Sequence, residues 1–147
     1  MTAPIVLRGE AAQACIDRFN GKAMKWGTVD CAKIAAHNLR HLGIATSLMK
    51  GAVYTSEMGA AKALRTRGFK GLGDAMDAVE RVFRIPPAMA TTGDVIGLAC
   101  DGELWDMALV VVVGNGRVLG IKDGVCAVLQ PEMNHALAAW RCNPCRR

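Results

Sequence analysis

Trp26-Gly27-Thr28-Val29-Asp30-Cys31 stands immediately before a helix-forming run near the start of the chain. Asp30 is predicted to cap that helix, because a carboxylate at the N-cap accepts a hydrogen bond from an unpaired backbone N–H of the first turn. Cys31 then lies in the first turn, where the unpaired N–H groups and the positive end of the helix dipole favour a thiolate. The hexapeptide therefore predicts a capped helix that begins at a cysteine, and it marks Cys31 as a candidate nucleophile.

Length and charge limit the classes of protein to which this chain can belong. Its 147 residues, 52% of them hydrophobic, suffice for one compact domain but not for two ordinary ones. We expect one domain over residues 1–147, with its core at about residues 11–141 and a basic tail at 142–147.

The net charge of +5 comes from scattered basic residues, and only 5% of residues are aromatic, so nucleic-acid binding is not expected. The longest apolar run, Met107 to Val113, is too short to span a membrane, and without an export signal the chain is expected to be cytoplasmic when made.

The first half of the chain has the periodicity of helices. Four stretches repeat apolar residues at the spacing of one helix face: Ala12 to Phe19, Cys31 to Leu42, Ala60 to Leu64 and Leu72 to Phe83. A glycine or a proline pair follows each stretch and is expected to end the helix.

The second half has the pattern of short strands. Four apolar runs, separated by Asp-Gly and Gly-Asn-Gly turns, are predicted to be strands: Val95 to Cys100, Leu104 to Val113, Arg117 to Lys122 and Val125 to Leu129. A last short strand is expected around Leu137 to Arg141. Helices followed by an antiparallel meander predict an α+β domain with the helices on one side of the sheet.

Three sequence elements together resemble a known superfamily. Trp26-Gly27-x-x-Asp30-Cys31, Gly93-Asp94-Val95 at the start of a strand, and an apolar strand ending in Gly114-Asn115-Gly116 resemble the NlpC-type papain-like cysteine peptidases, which cut cell-wall peptides. Further segments look like a phage and prophage branch of that superfamily: Tyr54-Thr55-Ser56-Glu57, Ala60 to Gly68, Ile85-Pro86-Pro87-Ala88 and Ala139-Trp140-Arg141. Members of this branch are usually found among tail genes and have no settled activity. The resemblance covers about residues 15 to 141 and implies a papain-like NlpC-type fold, with N-terminal helices packed on a C-terminal antiparallel β-sheet.

Peptidases of this type also need a histidine that holds the thiol as a thiolate and protonates the leaving amine. The resemblance places it at the beginning of the strand that ends in Gly114-Asn115-Gly116, at about Ala108 with Met107 beside it, and neither is histidine. His37 and His41 follow Cys31 on the same predicted helix, with α-carbons ~9 Å and ~15 Å further along its axis, and are expected on a solvated face. His135 lies in the connection after Pro131. We therefore expect Cys31 to lack its catalytic partner.

Two functions remain open at this stage. The first is a structural component of a bacteriophage tail, in the tail tip or baseplate, which is made in the host cytoplasm, carried in the virion and bound to tail hub or tip subunits. In that case Cys31 is vestigial, and Trp26, Gly27 and Asp30 build the start of the helix. The second is an active cysteine peptidase or amidase that cleaves peptidoglycan during cell-wall penetration, with Cys31 as nucleophile.

The remaining cysteines suggest other roles. Cys142 and Cys145 form a Cys-x-x-Cys pair in the basic tail, which is half of a four-cysteine zinc or iron–sulfur site if the other ligands come from elsewhere in the chain or from a neighbouring subunit. Reversible disulfide formation, or no role at all, are the alternatives for this pair, and no other cofactor is expected. Cys15, Cys100 and Cys126 lie in or at the ends of apolar stretches and are predicted to be small buried residues.

Overall fold

A computed structural model describes residues 3–46, 48–101 and 105–144 of the chain. The helices are α1 (Pro4–Phe19), α2 (Cys31–His41), α3 (Glu57–Thr66) and α4 (Leu72–Asp77). The strands are β1 (Val82–Ile85), β2 (Val95–Leu98), β3 (Ala108–Gly114), β4 (Arg117–Lys122), β5 (Val125–Leu129) and β6 (Ala136–Cys142). Short 3-10 turns at Pro87–Met89 and Met133–His135 complete the regular structure of these residues.

The six strands form one antiparallel sheet in the order β1-β6-β2-β3-β4-β5. The meander from β2 to β5 is present as predicted, and its last two turns carry residues that accept a positive φ. Gly102, in the predicted turn between β2 and β3, lies outside the described residues. Asn115 and Gly116 have φ values of 55° and 70°, and Asp123 and Gly124 have values of 52° and 77°, which is the conformation that matches the twist of a tight hairpin. Val112 pairs with Val118 while Gly114 pairs with Arg117, so Val113 is an extra residue in a β-bulge.

The predicted fourth helix is wrong in its second half. α4 ends at Asp77, and Val82–Ile85 forms β1 at the edge of the sheet, paired with β6. Arg81 has a φ of 69°, which a continuing helix does not allow. Val82 is buried but Phe83, which the predicted helical stripe would bury, is exposed. Pairing with β6 therefore overrides the helical periodicity of the sequence.

β3 begins at Ala108, so Trp105 to Met107, which were expected in this strand, precede it. Leu104, the first residue of the predicted strand, lies outside the described residues. Just before β3, Asp106 is bound to the start of α4, whereas the Met107 side chain packs against Gly97 of β2. The carboxylate of Asp106 accepts hydrogen bonds from the backbone N–H of Leu72 at 2.7 Å and of Gly73 at 3.2 Å. This cap satisfies the start of α4 and fixes the segment that enters β3.

The core lies between the helices and one face of the sheet. Ile34 and Leu39 of α2 are fully buried in the same apolar cluster as Leu109 and Val111 of β3 and Trp140 of β6. The opposite face of the sheet carries a second, smaller apolar cluster: Ile96, Val110, Val112, Val118 and Ala139. The arrangement is the predicted α+β fold, with helices packed on one face of an antiparallel sheet. In the described part of the chain, no helix has the length and apolar character needed to cross a membrane.

A buried carboxylate ties α1 to the sheet. Asp94 is completely buried and forms ion pairs with Arg8 of α1 at 2.8 Å and with Arg141 of β6 at 2.9 Å. It also accepts hydrogen bonds from the backbone N–H groups of Thr91 and Cys142. The Gly93-Asp94 element of the sequence therefore has a structural role at the start of β2.

Candidate functional site

The candidate site is built on the first turn of α2. Asp30 is the N-cap: its Oδ1 accepts a hydrogen bond from the Lys33 N–H at 2.9 Å. Its Oδ2 accepts two more, from the Gly27 N–H at 2.9 Å and from the Tyr54 hydroxyl at 2.8 Å. The side chain is completely buried, so these three bonds are what make its burial tolerable. Asp30 orders the start of the helix and the loop before it.

Gly27 makes a close approach that only glycine allows. Its φ is 90°, and a Cβ at this position would overlap the carbonyl oxygen of Tyr54. The Trp26-Gly27 pair therefore lets the segment before α2 pack directly on the segment that leads to α3.

The Cys31 thiol is buried, with only 8% of the residue exposed. Burial raises its pKa well above that of an ordinary cysteine, and this effect exceeds the opposing effect of the Leu109 N–H near the sulfur. The negative charge of Asp30 raises the pKa further. The position at a helix start favours a thiolate, but here burial is the larger effect and the thiol is neutral near pH 7.

Cys31 borders a cleft with a volume of about 230 Å³. Its wall is largely apolar, formed by Met24, Trp26, Asp30, Cys31, Glu57, Cys100, Trp105, Met107, Ala108 and Ile121. Trp26 and Trp105 meet edge to face, with ring centroids 5.0 Å apart.

Cys100 was predicted to be buried, and this is wrong: the strand ends at Leu98, which leaves Cys100 exposed in the loop that borders the cleft. The predictions for Cys15 and Cys126 are confirmed, since both are buried.

The start of β3 brings Met107 and Ala108 to this cleft. Side chains alternate along a strand, and Met107 belongs with Leu109 and Val111 to the apolar cluster that contains Cys31. The bulge at Val113 adds one residue between this face and the Gly-Asn-Gly turn. Counting back from the turn gives Ala108, but the bulge shifts the register by one residue. The side chain that faces the helices beside Cys31 is therefore that of Met107.

The chain's three histidines lie elsewhere. His37 stands edge to face against Phe19, with centroids 5.4 Å apart, and 4.5 Å from His41. It is half-buried, and burial, followed by the charges of His41 and Arg40, lowers its pKa to about 4. The expectation of a solvated face thus holds for the exposed His41 and is wrong for His37. His135 is exposed and paired with Glu132 at 3.2 Å. Within the described wall of the cleft there is no imidazole.

Cys142 is the last residue of β6 and is buried in the core. Burial raises the pKa of its thiol to about 12. Cys145, its predicted partner in a metal site or disulfide, lies outside the described residues. Among residues 3–46, 48–101 and 105–144, no group of three or more His, Cys, Asp or Glu side chains could hold a metal ion.

Three contributors to the site were missed in the sequence. The hydrogen bond from the Tyr54 hydroxyl to Asp30 joins residues 24 positions apart, so the local sequence pattern does not indicate it. Trp105 borders the cleft next to Asp106, whose contact with α4 no local pattern indicates, and Cys100 borders it because β2 ends at Leu98.

The chain belongs to a family described as a domain of unknown function (DUF6950), whose model matches residues 8–142. Comparison with curated proteins gave no match. Among solved structures, the chain is similar to NlpC2 from Trichomonas vaginalis, with a TM-score of 0.56 and 14% sequence identity over 95% of this chain. It spans 47% of the length of that chain. At this identity the likeness shows the NlpC-like fold alone.

Proposed function

We propose that this protein is a structural component of a bacteriophage tail, in the tail tip or baseplate, that uses an NlpC-like domain without peptidase activity. The observation that carries the loss of activity is Met107, the residue immediately before β3, whose thioether shares the cleft and the apolar cluster with Cys31 in the region where a peptidase of this type needs an imidazole. Without that base the thiol has neither an activating partner nor a proton donor. Removing such catalytic partners reduces turnover on the order of thousands-fold or more.

The state of Cys31 supports the same proposal. A catalytic cysteine needs a lowered pKa and access to substrate, whereas burial raises the pKa of this thiol. The rest of the hexapeptide has a complete structural explanation, since Asp30 and Gly27 are engaged in the start of α2. The motif is thus explained as a packing element of an NlpC-like fold.

The phage assignment rests on the sequence resemblance to the tail-associated branch. Its expected partners are other tail proteins, hub or tip subunits, and its expected location is the virion after synthesis in the host cytoplasm. Several large apolar side chains are exposed and available for such contacts: Val53, Met58, Phe83, Met89 and Leu137. Methionine is well suited to surfaces that must adapt to a partner.

The test uses the phage or prophage that encodes the protein. The gene is deleted, and wild-type or Cys31→Ala protein is supplied from a plasmid. We expect the protein in purified particles by mass spectrometry, and equal plaque counts with both forms. Absence from the particles contradicts the tail assignment. Loss of infectivity with a folded Cys31→Ala protein contradicts the loss of catalysis.

The second candidate function is a peptidoglycan-cleaving cysteine peptidase or amidase with Cys31 as nucleophile. It is favoured by one observation: Cys31 borders an open cleft at the start of an 11-residue helix, with the N–H groups of Leu109 and Ala32 near its sulfur. Incubation of purified cell walls with wild-type and Cys31→Ala protein separates the two functions. New muropeptide ends that depend on Cys31 support the enzyme, and identical profiles support the structural protein.

A further inference from the structure

A surface formed by α3 and the loop before it combines exposed cations with exposed aliphatic side chains. All of its residues are exposed, and we call the set the α3 surface: Lys50, Val53, Met58, Lys62, Arg65 and Arg67. In the described wall of the cleft beside Cys31, none of these six residues takes part. The α3 surface is therefore separate from the candidate site.

Three residues of the α3 surface lie in a row on the helix. Met58, Lys62 and Arg65 are four and three residues apart, a spacing that places side chains on the same side of a helix. The buried residues of α3 lie on another side: Ala60, Ala61 and Leu64. The row therefore faces away from the core.

The loop before α3 is fixed beside this row. Tyr54 is buried and lies against Gly59, where an added Cβ would come within 3.2 Å of the Tyr54 Cβ. Val53 and Met58 each directly precede one of these two residues, so they are neighbours on the surface. Val53 is 95% exposed and Met58 is 68% exposed. Because Tyr54 holds the end of the loop in place, the fold itself presents these two aliphatic side chains to solvent.

The charge around them is strongly positive. Between residues 50 and 73 the chain has five basic residues and one acidic residue, Glu57. Arg67 Nη2 donates to the Lys50 carbonyl oxygen at 2.8 Å, so cations of the helix end and of the loop are adjacent. Among the described residues, none of the four cations of the α3 surface forms an ion pair with a carboxylate. The surface therefore has four uncompensated positive charges around an aliphatic centre.

We propose that the α3 surface binds the surface of an anionic phospholipid bilayer. Val53 and Met58 enter the boundary between head groups and acyl chains, as the apolar side chains of helices that lie on a membrane do. The four cations then lie at the level of the lipid phosphates, where each lysine or arginine contributes about fivefold to the binding constant.

Other polyanions fit the α3 surface less well. Bases of a nucleic acid stack on exposed aromatic rings, but Tyr54, the aromatic residue of the loop, is buried. Protein interfaces are depleted in lysine, which supplies two of the four cations. The proposal does not depend on the phage assignment. It assigns Val53 and Met58 to lipid contact and leaves the other exposed apolar side chains to protein partners.

Sedimentation of the purified full-length chain with lipid vesicles tests the α3 surface. Vesicles of equal parts phosphatidylcholine and phosphatidylglycerol are compared with vesicles of phosphatidylcholine alone. We expect binding to the anionic vesicles that weakens with added salt, which screens the charges. The double variant Lys62→Gln and Arg65→Gln should lose more than about tenfold in affinity, since it removes two cations. The double variant Val53→Ser and Met58→Ser should lose about tenfold or more and keep the salt dependence, because it removes the apolar contact alone.

Matched controls change the same kinds of group on other elements. The double variant Arg18→Gln and Arg117→Gln removes two exposed cations from α1 and β4, and Leu137→Ser removes an exposed apolar side chain from β6. Both should bind like the wild type. All of the replaced side chains are exposed, so the variants should fold, which far-UV circular dichroism checks.

Three results overturn the proposal. The first is equal binding, or no binding, of folded wild-type protein to the two kinds of vesicle. The second is an equal loss of affinity in the control arginine variant, which assigns the binding to net charge and not to this surface. The third is tighter binding to a DNA duplex than to anionic vesicles at the same phosphate concentration, which assigns the surface to nucleic acid.

Discussion

Replacement of Asp30 is the perturbation that tests most directly why the start of α2 has its sequence. The completely buried carboxylate accepts hydrogen bonds from the Gly27 N–H, the Lys33 N–H and the Tyr54 hydroxyl. Loss of an N-cap costs about 1 kcal/mol. Leaving the other two donors without an acceptor costs about 1 kcal/mol or more each, since a buried unpaired donor loses its hydrogen bond to water.

We therefore expect Asp30→Ala to lower the free energy of unfolding by about 3–4 kcal/mol. Tyr54→Phe removes one of the same bonds and is expected to cost about 1 kcal/mol. The double variant should cost less than the sum of the two, because Tyr54→Phe removes the hydroxyl that would otherwise be left unpaired when the carboxylate is absent. Asp17→Ala is the matched control: this exposed carboxylate accepts a hydrogen bond from Gln13 on the surface of α1, and we expect a change within about 0.5 kcal/mol.

Urea denaturation followed by far-UV circular dichroism gives the free energy of unfolding of the wild type and of the four variants. If Asp30→Ala does not fold, Asp30→Asn keeps the side-chain shape and shows the same ranking with smaller losses. A loss below about 1 kcal/mol for Asp30→Ala, additive with Tyr54→Phe, refutes the structural explanation of the motif. Such a result would leave catalysis as the better reason for an aspartate at this position.

Three further predictions concern the surroundings of the site. Gly27→Ala should destabilise the protein far more than Gly116→Ala. Both glycines have a positive φ, but only at Gly27 would the new Cβ overlap a backbone carbonyl. Urea denaturation of the two variants measures the difference in their free energies of unfolding. Folding lowers the pKa of His37 to about 4, so between about pH 6.5 and pH 4 the unfolded chain binds a proton that the folded protein does not. The free energy of unfolding should therefore decrease as the pH falls through this range, and it should decrease less steeply in His37→Gln. Met107→His places an imidazole beside Cys31, and the alkylation rate of that thiol at pH 7 should rise by about tenfold or more, since an imidazolium lowers a neighbouring thiol's pKa.

Each of these has a clear contrary outcome. Equal losses in the two glycine variants mean that the Tyr54 carbonyl can move away at little cost. An unchanged pH slope in His37→Gln assigns the acid sensitivity to other groups. An unchanged alkylation rate in folded Met107→His means that residue 107 does not face the thiol.

The sequence predicts the part of the fold that depends on local chemistry. Asp30 and Gly43 mark the limits of α2, and the Asn115-Gly116 and Asp123-Gly124 turns fix the meander, because these residues act on their own neighbours. The main error in the predicted elements concerns a distant contact. The helical periodicity runs from Leu72 to Phe83, but Val82–Ile85 is paired with β6, whose residues lie more than 50 positions later.

The candidate site was predictable only in outline. The hexapeptide indicated where Cys31 would lie, and the strand count brought Met107 and Ala108 near it. The bulge at Val113, which decides between those two residues, arises from pairing of β3 with β4 and has no sequence signal of its own. The exposure of Cys100 likewise depends on where β2 ends.

The central claim is that Cys31 is a buried, neutral thiol and not an activated nucleophile, and the pH dependence of its alkylation measures this directly. Cys100→Ser protein, which lacks the exposed thiol of the cleft, is treated with iodoacetamide between pH 5 and pH 10, and the Cys31 peptide is quantified by mass spectrometry. We predict a slow reaction whose rate still rises above pH 9, beyond the pKa of about 8.5 of a free cysteine. A fast reaction that reaches its plateau below pH 7 contradicts the claim, because it requires a thiolate stabilised by a partner at the site.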